Sequence, residues 1–335
     1  MPILSNPADP TPGKPLVTVI GESLVDIIDD PHRGTAGRQA HPGGSPLNVA
    51  VGTARLGLPT TLVTHYDDDA LGLMVDQHLQ SNGVSRIRGG TSPTSTATAT
   101  LGQDGAARYA FDITWDFNGA SLPALAAVEA SAHVHTGSIA TMLQPGNHAT
   151  LALVEAAQAG ATVSYDPNCR PSISPGVAAA RRQAEVFVAA SDIVKASDED
   201  LAWLYPDRTP DESLTAWLEL GPGLVALTRG AHGPVLLNRQ GRVELPGEAI
   251  DVVDTVGAGD SFMAALISGL AQLDVLGAPG RERLRSLASG DLRALAVYAN
   301  RAAAITCSRP GANPPSSGEV DPITAPGSSG WGALA

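Results

Sequence analysis

The chain has 335 residues, is 43% hydrophobic and carries a formal charge of -13, so it can bury one large α/β core or two modest ones. That acidity argues against nucleic acid and anionic membranes as partners, because both require clustered Lys and Arg. No window reaches the roughly 18 uninterrupted apolar residues of a membrane helix, and residues 1–15 lack a signal peptide's basic and apolar regions, so a cytoplasmic protein is expected.

Residues 1–15 are rich in proline and poor in apolar pattern, and read as a disordered arm. Structure begins at Leu16. LVTVIGESLVDII is the β-branched run of a buried parallel strand, broken at Gly21-Glu22-Ser23 and by Asp26. A lone acid in such a run is costly to bury, so Asp26 belongs at a strand end or against a polar ligand. Gly43 and Gly44 then turn the chain into a helix that ends at Gly57, with Asn48 in its first turns, bonded locally or facing a ligand. Residues 60–65 read as a strand and 70–81 as an amphipathic helix. Residues 94–101 and 107–113 alternate like a hairpin around Gly102–Gly105, outside the main sheet. Tyr109 and Phe111 share one face of it, and Trp115 and Phe117 follow.

From Ala124 onward helices alternate with short apolar strands, as in a doubly wound sheet. His133 and His135 point the same way, but two ligands without a third make a poor metal site. Asp166, Asn168 and Arg170 close a strand whose carboxyl end is where open α/β sheets bind ligands; a plain Arg170–Asp166 ion pair is the alternative. The acids at 198–200 open a helix, where they complement its dipole. A strand at 224–228 leads into a Gly-rich turn and a hairpin over 235–245. At 254–262, DTVGAGDSF is a Gly-rich turn opening a helix, whose unpaired N–H groups make an anion site. Asp260, inside that nest, repels phosphate; it serves either as a helix cap or as a proton acceptor for a hydroxyl attacking a phosphate. Residues 292–307 read as a helix and 316–335 as a mobile tail. Cys169 and Cys307 are too few for a disulfide framework or a zinc site and read as buried thiols.

DTVGAGDSF resembles the C-terminal signature of the ribokinase-like (PfkB-type) carbohydrate kinases. GGSPLNVAVGTARLG, at 43–57, resembles their N-terminal signature, and the two stand in that family's order. The resemblance implies a three-layer αβα fold over residues 16–315, with a doubly wound, mainly parallel sheet and a small β-sheet lid from about 29–42 and 92–118. It implies transfer of the ATP γ-phosphoryl group, with Mg2+, to a primary sugar hydroxyl. Asp260 would be the catalytic base and the amides from Val256 through Gly257 and Ala258 to Gly259 the anion hole, with Arg170 orienting the sugar or neutralising the transferring group. Asp26, in G-E-x-x-x-D, together with Gly43, Gly44, Asn48 and Asn168, would hold the sugar.

Tyr109 and Phe111 would cover the sugar ring, or else pack the lid or a homodimer contact. Lys195 and the T-x-G-x-x-G residues Thr228, Gly230 and Gly233 lie on the nucleotide side, with Asn300 at its adenine end. The family's N-x-x-E is only half kept as Ser197 and Asp200, so Asp200 would hold magnesium through water, with Glu199 as substitute. Asp254 and the loop from Ser308 lie where some relatives bind a monovalent cation such as K+. H-x-G-S-I at 135–139 and D-P-N-x-R at 166–170 look like the fructokinase branch, so fructose leads. Ribose, a nucleoside or a 2-keto-3-deoxy sugar acid follow, and the altered magnesium motif leaves room for a non-catalytic sensor. A Rossmann dehydrogenase is disfavoured, since no G-x-G-x-x-G follows the first strand.

Overall fold

The structure is a computed structural model that describes residues 13–30, 37–101, 107–116, 118 and 120–323. Its large sheet, nine-stranded among these residues, runs β5 (Ser85–Gly89), β4 (Thr60–His65), β1 (Val17–Ile20), β8 (His133–Gly137), β9 (Thr162–Asp166), β10 (Ile193–Ser197), β11 (Leu224–Thr228), β12 (Val235–Asn238), β13 (Gly241–Glu244). All neighbours are parallel up to β11; β12 and β13 form the expected antiparallel hairpin at one edge.

Alternation along the strands builds two cores, one on each face. Val17, Val19, Ile193, Leu224 and Ala226 face α1 (Ser45–Arg55), α2 (Ala70–Ser81), α8 (Ala258–Gln272), α9 (Gly280–Arg285) and α10 (Ser289–Cys307). Ile20, Val194, Val225 and Leu227 face α3 (Ser121–Ala130), α4 (Gly146–Ala157), α5 (Val177–Ala189), α6 (Asp198–Leu204) and α7 (Pro210–Leu220). The result is the three-layer doubly wound fold. No helix among the described residues is long and apolar enough to cross a membrane.

A second, four-stranded sheet forms the lid, in the order β3 (Arg38–Gly43), β2 (Leu24–Asp29), β6 (Ser95–Leu101), β7 (Ala107–Asp112). It starts earlier than expected. The run LVTVIGESLVDII is two strands in two sheets, divided at Gly21-Glu22-Ser23, so Asp26 sits on the lid and not on a core strand. Residues 31–36 and 102–106 of the expected lid, and Phe117, lie outside the described residues. Trp115 leaves the lid for the core, 1% exposed, its Nε1–H donating to Thr150 Oγ1 at 3.0 Å.

His133 and His135 are buried and share the Ser164 hydroxyl at 2.8 Å each, with Thr162 Oγ1 2.9 Å from His133 Nδ1. Burial pulls His133 down to about 3, so this is a neutral strand-to-strand network. The expected tail is also partly fixed. The Ser317 N–H donates to Arg55 O at 2.9 Å, Ile323 N–H donates to Gln272 Oε1 at 2.8 Å, and Val320 is 4% exposed. An apolar Val320 that can reach the core settles residues 316–323 against it, and 324–335 lie outside the described residues. At the other end, residues 1–12 of the expected arm lie outside the description too, and Lys14 Nζ donates to Gly57 O at 2.9 Å.

Candidate active site

The chain reverses direction across the sheet between β1 and β8, and in an open α/β sheet the crevice beyond such a switch point binds ligands. Here a cavity of about 940 Å³ opens there, roofed by the lid and walled by the first turns of α1 and α8.

The stretch before α8 is the expected turn into a helix. Gly257 takes φ +75° at the N-cap, and a Cβ there would lie 2.6 Å from the Cβ of Ala312, so only glycine fits. The anion nest is narrower than expected. Val256 N–H donates to Asp254 Oδ1 at 3.0 Å and Ala258 N–H to Thr255 O at 3.2 Å, which engages two of the four amides within the turn itself. Among the described residues, the N–H groups of Gly257 and Gly259 find no such acceptor and line the cavity. The amide of Ala258 is thus spent on the turn, and those of the two glycines stay open to the cavity.

Asp260 follows in the first turn of α8 and is 7% exposed. It does not cap its own helix. Ser45 Oγ donates to its Oδ1 at 2.7 Å and Asn48 Nδ2 to its Oδ2 at 2.8 Å, both from α1. This closeness follows from small residues at the helix contact, where a Cβ on Gly52 would lie 2.6 Å from the Cβ of Ala264.

On the lid side, pairing of β2, β6 and β7 aligns Asp26, Ala97 and Phe111 in one row, and all three line the cavity. Gly43 sits beneath that row. A Cβ on it would lie 2.2 Å from Asp26 Oδ2, so the carboxylate rests on the glycine. Desolvation raises Asp26 above the ordinary aspartate value, while Arg170 and His41 oppose the shift. Tyr109 lies one row further out, 67% exposed, stacked on Phe111 at 6.2 Å and outside the cavity lining. A shared face is thus not a shared site: Phe111 reaches the cavity and Tyr109 does not.

Gly44, Asn168 and Arg170 also line the cavity. Arg170 makes no ion pair with Asp166; its guanidinium bonds Asn168 Oδ1 at 2.7 Å and the backbone oxygens of Asn168 and Cys169. The partner of Asp166 is Lys195, whose Nζ lies 2.7 Å from Oδ2, with both side chains buried. Lys195 also stands behind Gly259, its Nζ being 3.1 Å from where a Cβ on that glycine would stand. Burial pulls the Lys195 ammonium down, but Asp166, Asp200 and Asp260 together hold it above the ordinary lysine value. At the opposite end Thr228, Gly230, Gly233 and Asn300 line the wall, with Asn300 Nδ2 donating to Pro246 O at 3.1 Å.

A buried carboxylate beside free amides, facing the Asp26 carboxylate of the lid across one cavity, is an arrangement that suits phosphoryl transfer. Over residues 14–318 the chain matches the model of the pfkB family carbohydrate kinases. It belongs to that family. A fructokinase of Rhizobium leguminosarum bv. trifolii is 32% identical over 270 residues, 78% of this chain and 81% of the relative. Among solved structures, a double mutant of fructokinase from Vibrio cholerae O395, in a form bound to fructose, ADP and potassium ion, has a TM-score of 0.72. It is 25% identical, and the match covers 89% of this chain and 94% of that one. Fructokinase of Xylella fastidiosa with bound ATP has a TM-score of 0.78 at 24% identity, covering 89% and 93%, and supports the fold.

The geometry bears on two expected metal positions in this kinase. Asp200 accepts the Cys169 N–H at 2.7 Å through Oδ1, and the Ser197 N–H at 2.9 Å and hydroxyl at 2.7 Å through Oδ2. With the Ser197 hydroxyl capping the Asp200 amide at 3.0 Å, this is a capping box, so Asp200 has a structural task. Glu199, exposed on the cavity wall, has a carboxylate without a partner among the described residues, and so fits magnesium better. Asp254 accepts from Val256 and, at 2.8 Å, from Gly311 N–H, which ties it to the loop it was expected to join. No group of three acidic, His or Cys side chains suited to a metal occurs among the described residues.

The cavity is also lined by a residue that the sequence did not single out as a site residue. Glu22 follows β1 at the switch point and is 2% exposed. Its Oε2 accepts the Ala140 N–H at 3.0 Å, and Oε1 is buried without a hydrogen-bond partner. Burial pushes it up to about 7, against the pull of nearby hydrogen bonds and of Arg170. Its only signal was its place after the first strand. Both cysteines are half-buried and free; Cys307 reaches the cavity wall, and burial raises the Cys169 thiol with Asp200 beside it.

Proposed function

We propose that the chain is an ATP-dependent fructokinase. The observation that carries the reading is the placement of Asp260 beside the free amides of Gly257 and Gly259, across one cavity from Asp26. The sugar lies between Asp26 on Gly43, Gly44, Asn48, Asn168 and Phe111, with its primary hydroxyl directed at Asp260. As that oxygen attacks the γ-phosphorus in line, Asp260 takes its proton and ADP leaves with the bridging oxygen. Charge gathering on the equatorial oxygens meets the two glycine amides and the dipole of α8, with Lys195 behind them and Arg170 at the side. Thr228, Gly230, Gly233 and Asn300 hold the nucleotide. Magnesium, held through Glu199, supplies neutralisation of phosphate charge when bound.

The charges at the sugar end favour a neutral sugar. Asp26 and Glu22 both feel the charge of Arg170 there, Asp26 with His41 beside it, and a sugar acid would add a third carboxylate. The fructokinase relatives favour fructose over ribose or a nucleoside. The same reading makes the protein cytoplasmic, with sugar and ATP as partners in place of nucleic acid or membrane.

A coupled ADP-release assay over fructose, ribose, nucleosides and 2-keto-3-deoxy sugar acids, with and without potassium, tests the proposal. Fructose should give the highest kcat/KM. Binding of fructose and ATP without ADP release would identify a sensor instead.

A further inference from the structure

Asp200 and Asp260 occupy the same position, third in the first turn of α6 and of α8, and behave differently. Asp200 folds back onto its own helix as half of a capping box. Asp260 is drawn forward, out of its helix, by two donors from α1. Ser45 is the less expected of the two. A serine at a helix start ordinarily caps that helix, yet the Ser45 side chain makes no cap bond, and the cap position belongs to Gly44. Its hydroxyl instead reaches a residue 215 positions away, buried, at 2.7 Å. That is the length of a charge-assisted O–H to carboxylate bond, among the stronger hydrogen bonds in proteins.

The final torsion of an aspartate is broad, so a carboxylate held by one oxygen still turns. Held at Oδ1 by Ser45 and at Oδ2 by Asn48, the plane is fixed, and each oxygen keeps a second lone pair. Asn48 has a second claim on it, because the reading above also places it against the sugar. We propose that Ser45 is a positioning residue for the transfer step: its hydroxyl fixes the rotation of the Asp260 carboxylate and couples the base to the sugar-holding helix. This rests on the proposed role of Asp260 as base.

A double-mutant cycle in the full-length protein tests it. Ser45→Ala removes one atom at a position where alanine favours the helix. It should lower kcat for fructose about 10-fold, since small misplacement of a reacting group costs that or more. KM for ATP and the thermal melting curve should not move. In an Asp260→Asn background, the same Ser45→Ala change should add nothing to the loss. Unchanged kcat overturns the inference, as does an equal loss in both backgrounds or a fall in melting temperature that accounts for the lost activity. Failure of the wider reading looks different: Asp260→Asn would itself turn over normally. An inert Asp260→Asn with a fully active Ser45→Ala would sink the positioning role alone.

Discussion

Lys195 Nζ lies 2.7 Å from Asp166 Oδ2 with neither side chain in solvent, and this pair stands directly behind Gly259. A buried ion pair is weak support for stability, because desolvating both charges offsets most of their attraction. Removing one partner is another matter. Lys195→Met should destabilise the protein by about 3–5 kcal/mol by stranding Asp166. Adding Asp166→Asn should recover part of that in urea unfolding while turnover stays low, because the cation behind Gly259 is still missing. Recovery of full turnover in the double variant would show that the pair serves the fold alone.

Gly43 carries the carboxylate of Asp26 directly above it. Gly43→Ala should therefore push Asp26 off its position and raise KM for fructose about 10-fold or more, leaving KM for ATP unchanged. Steady-state kinetics with each substrate varied in turn separates the two. A rise in both constants would place the damage elsewhere than at the sugar.

Much of this was legible because it is local. DTVGAGDSF and GGSPLN announce turns that feed helices, and Gly44, Asn48, Gly257, Gly259 and Asp260 do meet in one cavity, while Gly43 sits under the Asp26 carboxylate. The alternating β-branched runs likewise announced a sheet buried on both faces. What failed to show is what depends on depth or on distant neighbours. The period of two that put Tyr109 and Phe111 on one face says nothing of which row reaches the cavity. At 197–200 the spacing serves a capping box as well as a metal motif, and only the Cys169 N–H on Asp200 decides between them. The bond from Ser45 to Asp260 joins residues too far apart in the chain for any pattern to reveal. Glu22 looked like part of a break between strands, since nothing in the chain order shows that its carboxylate is buried.

That reassignment at 197–200 separates two variants. Glu199→Gln should raise the magnesium concentration needed for half-maximal turnover and leave the melting temperature alone. Asp200→Asn turns one acceptor oxygen into a donor facing existing donors, and should cost about 1–3 kcal/mol of stability with the magnesium requirement unchanged. Magnesium titrations and melting curves of both variants check this; the reverse pattern would restore Asp200 as the metal-side acid.

Glu22 makes stability depend on pH. Its pKa rises from 4.5 to about 7 on folding, so the folded protein holds this proton more tightly than the unfolded chain. The sign follows: the Glu22 contribution is fully present below about pH 4.5 and is lost as pH rises to about 7. The loss amounts to about 3 kcal/mol. Glu22→Gln, which keeps an acceptor for the Ala140 N–H, should remove that decline. Unfolding free energies of the two proteins from pH 4.5 to 7.5 should then diverge with rising pH; parallel curves would mean that Glu22 is ionised throughout.

The central claim is that Asp260 accepts the proton of the attacking hydroxyl. Asp260→Asn keeps the shape of the side chain and removes its basicity, so single-turnover ADP release with saturating fructose and ATP isolates the chemical step. Turnover should fall about 10²-fold or more while ATP binding, measured by calorimetry, stays intact. Near-normal turnover in Asp260→Asn would contradict the mechanism outright.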